Sequence, residues 1–299
     1  MASTVLNGDK LSAGDTIRAY LQLMKLRIVG LLCFTTLTAM FVAAGGVPDL
    51  MTAFITMIGG ILASGGSSAI NQYVDRDMDA KMQRTAWRPI PSGRIAPLNA
   101  LMFGVALVLW SVVVLGTLVN PLAALMAFIG AIYYVVIYTL LLKRNTVVNI
   151  LIGGGAGAFP VLVGWAAVQN AITFEALLLF AIVFYWTPPH SWALALLVNK
   201  DYTEANVPMM PVAKGEEATH VQIVLYSVQL FIISLLPVLF GVLGVVYMIT
   251  AVLLGAGLIR LSIKLMRVGG LSMARRTYKF STMYLALVFL AMIVDVLVV

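Results

Sequence analysis

The stretch Asn71–Arg94, NQYVDRDMDAKMQRTAWRPIPSGR, separates two long apolar runs, and the rest of the chain is read outward from it. It carries Asn71, Asp75, Asp77 and Asp79, together with the basic residues Arg76, Lys81, Arg84, Arg88 and Arg94. An α-helix turns about 100° per residue, so each step of four advances about 40°. Asn71, Asp75 and Asp79 therefore share one face, while Asp77 falls roughly opposite Asp75. Carboxylates gathered at the end of an apolar helix repel each other unless a cation lies among them. Mg²⁺ suits such a set, because it takes one or two carboxylates and completes its shell with water and phosphate oxygens. The neighbouring Lys and Arg fit the same ligand, as counter-charges for phosphate oxygens that a metal does not reach. A solvated loop of mixed charge is the competing reading. The spacing of four, the asparagine and the flanking apolar runs weigh against it.

Of 299 residues, 62% are hydrophobic and only 10% charged, which predicts an all-α integral membrane protein rather than a soluble domain. Nine apolar segments are long enough to cross about 30 Å of hydrocarbon: 28–47, 51–70, 98–118, 121–142, 147–168, 174–196, 221–240, 244–264 and 280–299. Residues 1–27 read as a cytoplasmic segment, too polar and too long for a signal-peptide start, with the first span retained. Residues 28–299 read as one transmembrane domain with two long polar connections, about 71–97 and 197–220. With nine spans, all 19 Lys and Arg fall on one side of the membrane. That asymmetry predicts a cytoplasmic N-terminus and polar connections, and an outer C-terminus. The net charge of +7 then records topology and anionic headgroups, not nucleic acid. The one cysteine, Cys33, has no intrachain disulfide partner and reads as a packing residue in the first span.

Because the ionisable residues gather at one membrane face rather than at mid-membrane, the pattern favours a site open to that face with an apolar cavity below it. Pro89, Pro91 and Pro97 interrupt any helix after the polar stretch. Tyr133, Tyr134 and Tyr138 are candidates either for a cavity wall, where a ring face stabilises a cation, or for an interfacial belt. Gly153 to Gly157 permit close helix approach or a local break. Asn145 and Asn149 are candidate substrate contacts, with capping as the plainer role. His190 is intramembrane and follows Pro188 and Pro189, so it is either a functional group or a partner for backbone freed by the prolines. Asp201 and Glu204, with Lys200 beside them, form either a second metal-binding acidic pair or a helix-end charge pair.

Taken together, these blocks resemble the UbiA-type intramembrane prenyltransferases, whose pattern N-x-x-x-D-x-x-x-D is met by Asn71, Asp75 and Asp79. DRDMDAKMQRT with RPIPSGR, IGGGAGAFP, WTPPHSWALAL and DYTEANVPMMPV are similar to the haem-farnesylating branch of that family, over about 20–280. The resemblance implies nine transmembrane helices around a central cavity, Mg²⁺ as cofactor, farnesyl diphosphate and haem b as substrates, and haem O as product. It also implies a bacterial inner membrane, and a haem A synthase or terminal oxidase assembly as partner. By position it assigns Asn71, Asp75 and Asp79 to the first metal–diphosphate motif, Asp201 to the second, and Lys81, Arg84 and Arg88 to the basic residues after the first. Glu204 stands at i+3 where the family's second motif has Asp at i+4. Ser191 stands where an aromatic is expected and Val161 where a second proline is expected, and both bear on cavity shape.

The chemistry implied is loss of diphosphate from an allylic carbon, attack by a haem vinyl group on the resulting cation, and capture by water. Three other readings compete: prenylation of an aromatic acid such as 4-hydroxybenzoate, an anionic-lipid transporter with the Asp cluster as coupling site, and a non-catalytic haem-binding assembly factor.

Overall fold

The computed structural model describes residues 12–298, so Lys10 of the charge asymmetry lies outside the described residues. Thirteen α-helices and one π-helix follow in order, with no strand among the described residues. They are α1 (Ala13–Met24), α2 (Leu26–Ala44), α3 (Leu50–Val74), α4 (Arg76–Asp79), α5 (Pro97–Leu118), α6 (Pro121–Ile132), the π-helix Tyr133–Leu142, α7 (Asn149–Gly153), α8 (Gly155–Gln169), α9 (Phe174–Leu197), α10 (Asn199–Glu204), α11 (Met210–Leu239), α12 (Val245–Val268) and α13 (Leu271–Val298). Nine of the resulting units are long and apolar enough to cross a membrane, the fourth being α6 with the π-helix and the fifth α7 with α8.

Short polar residues set the ends. Asp49 accepts from the Thr52 amide at 2.7 Å and Asn120 from the Ala123 amide at 2.8 Å, capping α3 and α6. Gly45, at φ 61°, closes α2 in the left-handed region where glycine has no steric cost. The prolines at 89 and 91 do keep 80–96 free of helix, and Pro97 opens α5. Two helices outrun the apolar segments. α11 begins at Met210 rather than near 221, and α13 at Leu271 rather than near 280. The polar start of α13, with Arg275 and Arg276, stays helical beyond the apolar layer, whereas that of α11 kinks at Gly215, at φ 84° and ψ 169°, between Lys214 and Glu216. The second polar connection therefore shortens to about 198–209.

Small residues set the helix spacing, as expected where lipid offers no hydrophobic drive. α3 and α5 touch backbone to backbone: a Cβ on Gly66 would sit 2.6 Å from the Gly104 carbonyl oxygen. On α8, a Cβ on Gly164 would overlap the Thr36 carbonyl of α2. Backbone cannot rotate away, so Gly164→Ala is expected to cost about 1–3 kcal/mol. Gly30→Ala, where nothing lies within 4 Å, is expected to be neutral or slightly stabilising. Thermal unfolding of the two variants in detergent checks the contrast, and equal melting points would refute the backbone contact. Val161 packs in the core and stays off the cavity, so the cavity-shape expectation holds only for Ser191, which borders it. At the opposite membrane face, Asp295 of α13 accepts from the amides of Gly244 and Tyr247, and so caps α12 across the bundle.

Candidate active site

The polar stretch folds into a buried charged cluster. Asn71 and Asp79 lie in α3 and α4, and Asp75 is the joint between them, at φ −86° and ψ 3°. All three are at most 2% exposed, so their polar groups require partners. Asn71 Nδ2 donates to Asp75 Oδ2 at 2.8 Å and to Thr139 Oγ1 at 3.1 Å, which fixes the amide orientation. Its Oδ1 accepts from Lys25 Nζ at 2.9 Å. Lys143 Nζ reaches Asp75 Oδ2 at 2.5 Å, with Arg144 at 3.5 Å from Oδ1. Arg88 Nη1 donates to Asp79 Oδ2 at 2.6 Å, while Asp79 Oδ1 is buried without a partner. Lys143 and Arg88 thus match the two carboxylates, with Lys25 beside them on Asn71. Asp77 does lie outside it: its exposed carboxylate takes two bonds from Arg144, at 2.7 and 2.8 Å, which hold its pKa down to about 2.

Lys25 joins α1 to α2 in a left-handed conformation, φ 53° and ψ 51°, rare for a residue with a side chain. α1 is anchored for this by Ala19 and Leu23, which are buried, and by Gln72 Nε2, which donates to the Leu23 carbonyl at 2.9 Å. Burial at the cavity wall, with Arg88 and Lys143 adding to it, brings the Lys25 ammonium down to about 7.

Below the cluster a cavity of about 490 Å³ runs into the apolar interior. Lys25 and Tyr138 border it, as do Tyr134, Gly153, Trp186 and His190. The π-helix turns Tyr134 and Tyr138 toward it, with their rings stacked 5.7 Å apart. Tyr133 instead donates to the Ile152 carbonyl at 2.7 Å. Gly153 has no room for a Cβ because the Tyr138 ring lies against it, and the chain breaks between α7 and α8 at Gly154.

α9 runs unbroken through Pro188 and Pro189, and His190 does not serve the carbonyls they free. Its Nδ1 lies 2.9 Å from Ser281 Oγ. With the Ser281 hydrogen placed on the Tyr278 carbonyl, 2.8 Å away, the ring donates from Nδ1 and keeps its lone pair on Nε2. Trp186 stacks on the ring at 4.2 Å and Tyr278 lies at 4.8 Å.

The profile of the UbiA prenyltransferase family matches residues 32–292. The chain belongs to the UbiA prenyltransferase family. A protoheme IX farnesyltransferase of Symbiobacterium thermophilum is 49% identical over 96% of this chain and 97% of that one. One of Roseiflexus sp. (strain RS-1) is 47% identical over 99% of this chain. The chain spans about half the length of the Roseiflexus and Chloroflexus relatives, 55% and 48%. In fold it is similar to a solved structure concerned with digeranylgeranylglyceryl phosphate synthase, at TM-score 0.80, 18% identity and 95% and 100% coverage of the two chains. It is also similar to a UbiA homolog from Archaeoglobus fulgidus bound to DMAPP and Mg²⁺, at TM-score 0.63, 17% identity and 92% and 99% coverage.

Within this UbiA chain the residues singled out from sequence separate into three groups. Asn71, Asp75, Asp79 and Arg88 come together; Tyr138 and His190 border the cavity beneath them. Asp201 lies nearby, half-buried, accepting from the Arg84 backbone amide at 3.4 Å, with the Arg84 guanidinium over Tyr202. The others fall outside. Lys81 is exposed, and Asn145 is exposed and caps the Leu141 carbonyl. Asn149 is buried and donates to the Lys143 carbonyl at 3.3 Å, so it shapes the turn that carries Lys143. Lys200 and Glu204 approach to 3.9 Å as an exposed pair one helical turn apart. No group of three or more His, Cys, Asp or Glu converges among the described residues. Lys25, Lys143, Arg144 and Thr139 are the residues missed. In the sequence the first three stand only as topology charges. Their signal was position, since each abuts a span at the face that carries the Asp cluster.

Proposed function

We propose that this chain transfers the farnesyl group of farnesyl diphosphate to a vinyl group of haem b, with addition of water, giving haem O. The observation that carries this reading is one continuous cavity that joins Lys25, at the edge of the charged cluster, to His190 in the apolar interior. A phosphate anchor and a haem-facing imidazole sit on one continuous wall. The names of relatives matched over nearly their whole length support the same reading.

Mg²⁺ fits at one observed point: Asp79 Oδ1 is buried and unpartnered beside the Asp75 carboxylate. Asn71, Asp75 and Asp79 would hold it, and when bound it supplies Lewis-acid charge to the diphosphate oxygens. Asp201, through Arg84, would steady the same rim. Lys25, Lys143 and Arg88 hold diphosphate oxygens and stabilise the charge that grows on them as the C–O bond breaks. The bonding electrons leave with the diphosphate. The apolar wall keeps water from the allylic cation, and the faces of Tyr134 and Tyr138 stabilise it. The vinyl carbon then bonds to the farnesyl carbon. Water adds to the cation left beside the porphyrin and gives up a proton. Purified protein supplied with Mg²⁺, farnesyl diphosphate and haem b is expected to yield haem O by mass spectrometry. Prenylation of 4-hydroxybenzoate in place of haem, or uptake of an anionic lipid without diphosphate release, would replace the proposal.

His190 aims the haem. Its Nε2 lone pair suits an axial bond to the iron, which fixes the ring and so the vinyl group. His190→Ala is expected to weaken haem binding about tenfold and to shift the Soret band, while diphosphate affinity stays unchanged. Ser281→Ala, which frees the tautomer, is expected to shift the band less. An unchanged spectrum in folded His190→Ala would remove the axial role.

In this reading the protein sits in a bacterial inner membrane, and the Lys and Arg asymmetry supports the Asp cluster on the cytoplasmic side. A reporter inserted within 198–209 is expected to read cytoplasm; a periplasmic signal would invert the topology. The product then passes to a haem A synthase or a terminal oxidase under assembly.

A further inference from the structure

A second concavity lies on the outer surface of the bundle and shares no residue with the reaction cavity. It is a groove of about 510 Å³ between Phe231 of α11 and the lipid-facing side of α12. Phe231 lies flat there because Gly255 of α12 has no side chain; a Cβ would overlap the ring. Ile259 and Ile263 continue the apolar floor. Arg260, Lys264 and Arg267 line the same groove, and their spacing of four and three puts them on one helical face. None of the three pairs with a carboxylate among the described residues.

α12 runs toward the membrane face that carries the Asp cluster and ends at Val268. Arg260 precedes that end by about 12 Å of helical rise, so its stem lies along apolar surface and its guanidinium reaches toward the headgroup layer. Three unpaired cations thus stand where phosphates of the adjoining leaflet lie, above an apolar slot. Charges that only orient the chain need no groove.

The geometry points to a site for one anionic phospholipid. Its phosphodiester is held by Arg260, Lys264 and Arg267, and one acyl chain lies against Phe231 and Ile263. Basic pockets between transmembrane helices recognise anionic headgroups in this way. A zwitterionic lipid brings its own ammonium to the three cations and is disfavoured.

Native mass spectrometry of the purified full chain, offered phosphatidylglycerol or phosphatidylcholine, tests the site. The wild type is expected to retain one phosphatidylglycerol through detergent exchange and no phosphatidylcholine. Arg260→Gln/Lys264→Gln/Arg267→Gln is expected to bind phosphatidylglycerol about a hundredfold more weakly. Because those charges also orient the chain, Ala256→Phe provides the second arm: it fills the groove, leaves every charge in place, and is expected to lose the lipid too. Excess inorganic phosphate is expected to leave the lipid bound. Equal retention of the two lipids, retention by folded Ala256→Phe, or displacement by free phosphate would each overturn the site.

Discussion

Asp75→Asn is expected to lower prenyl transfer roughly a thousandfold while the protein stays folded. The carboxylate is fully buried and takes Lys143 at 2.5 Å and Asn71 at 2.8 Å. Asparagine keeps its shape but removes the charge that would hold the metal and set the position of Lys143. Loss of Lewis-acid stabilisation of the leaving group is worth several kcal/mol, and each 1.36 kcal/mol is about tenfold in rate. Asp77→Asn is the built-in comparison. Its pair with Arg144 is exposed, a class worth about 0–1 kcal/mol, so turnover should change by no more than about fivefold. Single-turnover assays on size-homogeneous protein compare the two. Equal damage from both would mean that the cluster boundary is drawn in the wrong place.

Lys25→Met should raise the KM for farnesyl diphosphate about a hundredfold, with a smaller effect on kcat. Truncating one partner of a buried charged hydrogen bond costs about 2–5 kcal/mol. Lys25 donates to Asn71 at 2.9 Å from the cavity wall, where in the proposed reaction it would meet the diphosphate rather than the reacting carbon. The left-handed backbone costs methionine as much as lysine, so the turn between α1 and α2 contributes little to the difference. Lys25→Arg, which retains the charge, should restore part of the affinity. A normal KM in Lys25→Met would assign the lysine to holding the helix turn alone.

The core of this site was legible in the sequence because its parts are local. Asn71, Asp75 and Asp79 are four apart, and their common face survives although α3 ends at Val74, since the Asp79 amide still bonds the Asp75 carbonyl at 2.7 Å. The spans were legible because apolar length is all that a bilayer asks of a helix. Lys25 and Lys143 were not. Each comes from the end of a different span, and a charge at a span end is fully explained by topology until the helices are assembled. The π-helix was hidden for a related reason: a uniformly apolar segment carries no periodic signal to distinguish 3.6 residues per turn from a wider turn. His190 was visible, but Ser281, which fixes its tautomer, stands on another helix 91 residues later. For the second acidic pair, a spacing of three on a helix says that Asp201 and Glu204 neighbour each other, not which way either faces, and Glu204 lies 3.9 Å from Lys200 on the exposed side.

The cap at the far end of α12 has a bearing on biogenesis. The amides of Gly244 and Tyr247 find their acceptor in Asp295, 51 and 48 residues further along the chain. During synthesis the eighth span therefore enters the bilayer with these donors unmet, and the ninth carries a carboxylate that apolar surroundings disfavour. Each defect cancels the other only when the two spans dock. The final pair is thus bound to mature as a unit, and because Tyr278 and Thr282 of the ninth span border the reaction cavity, that cavity closes only when this pair is in place.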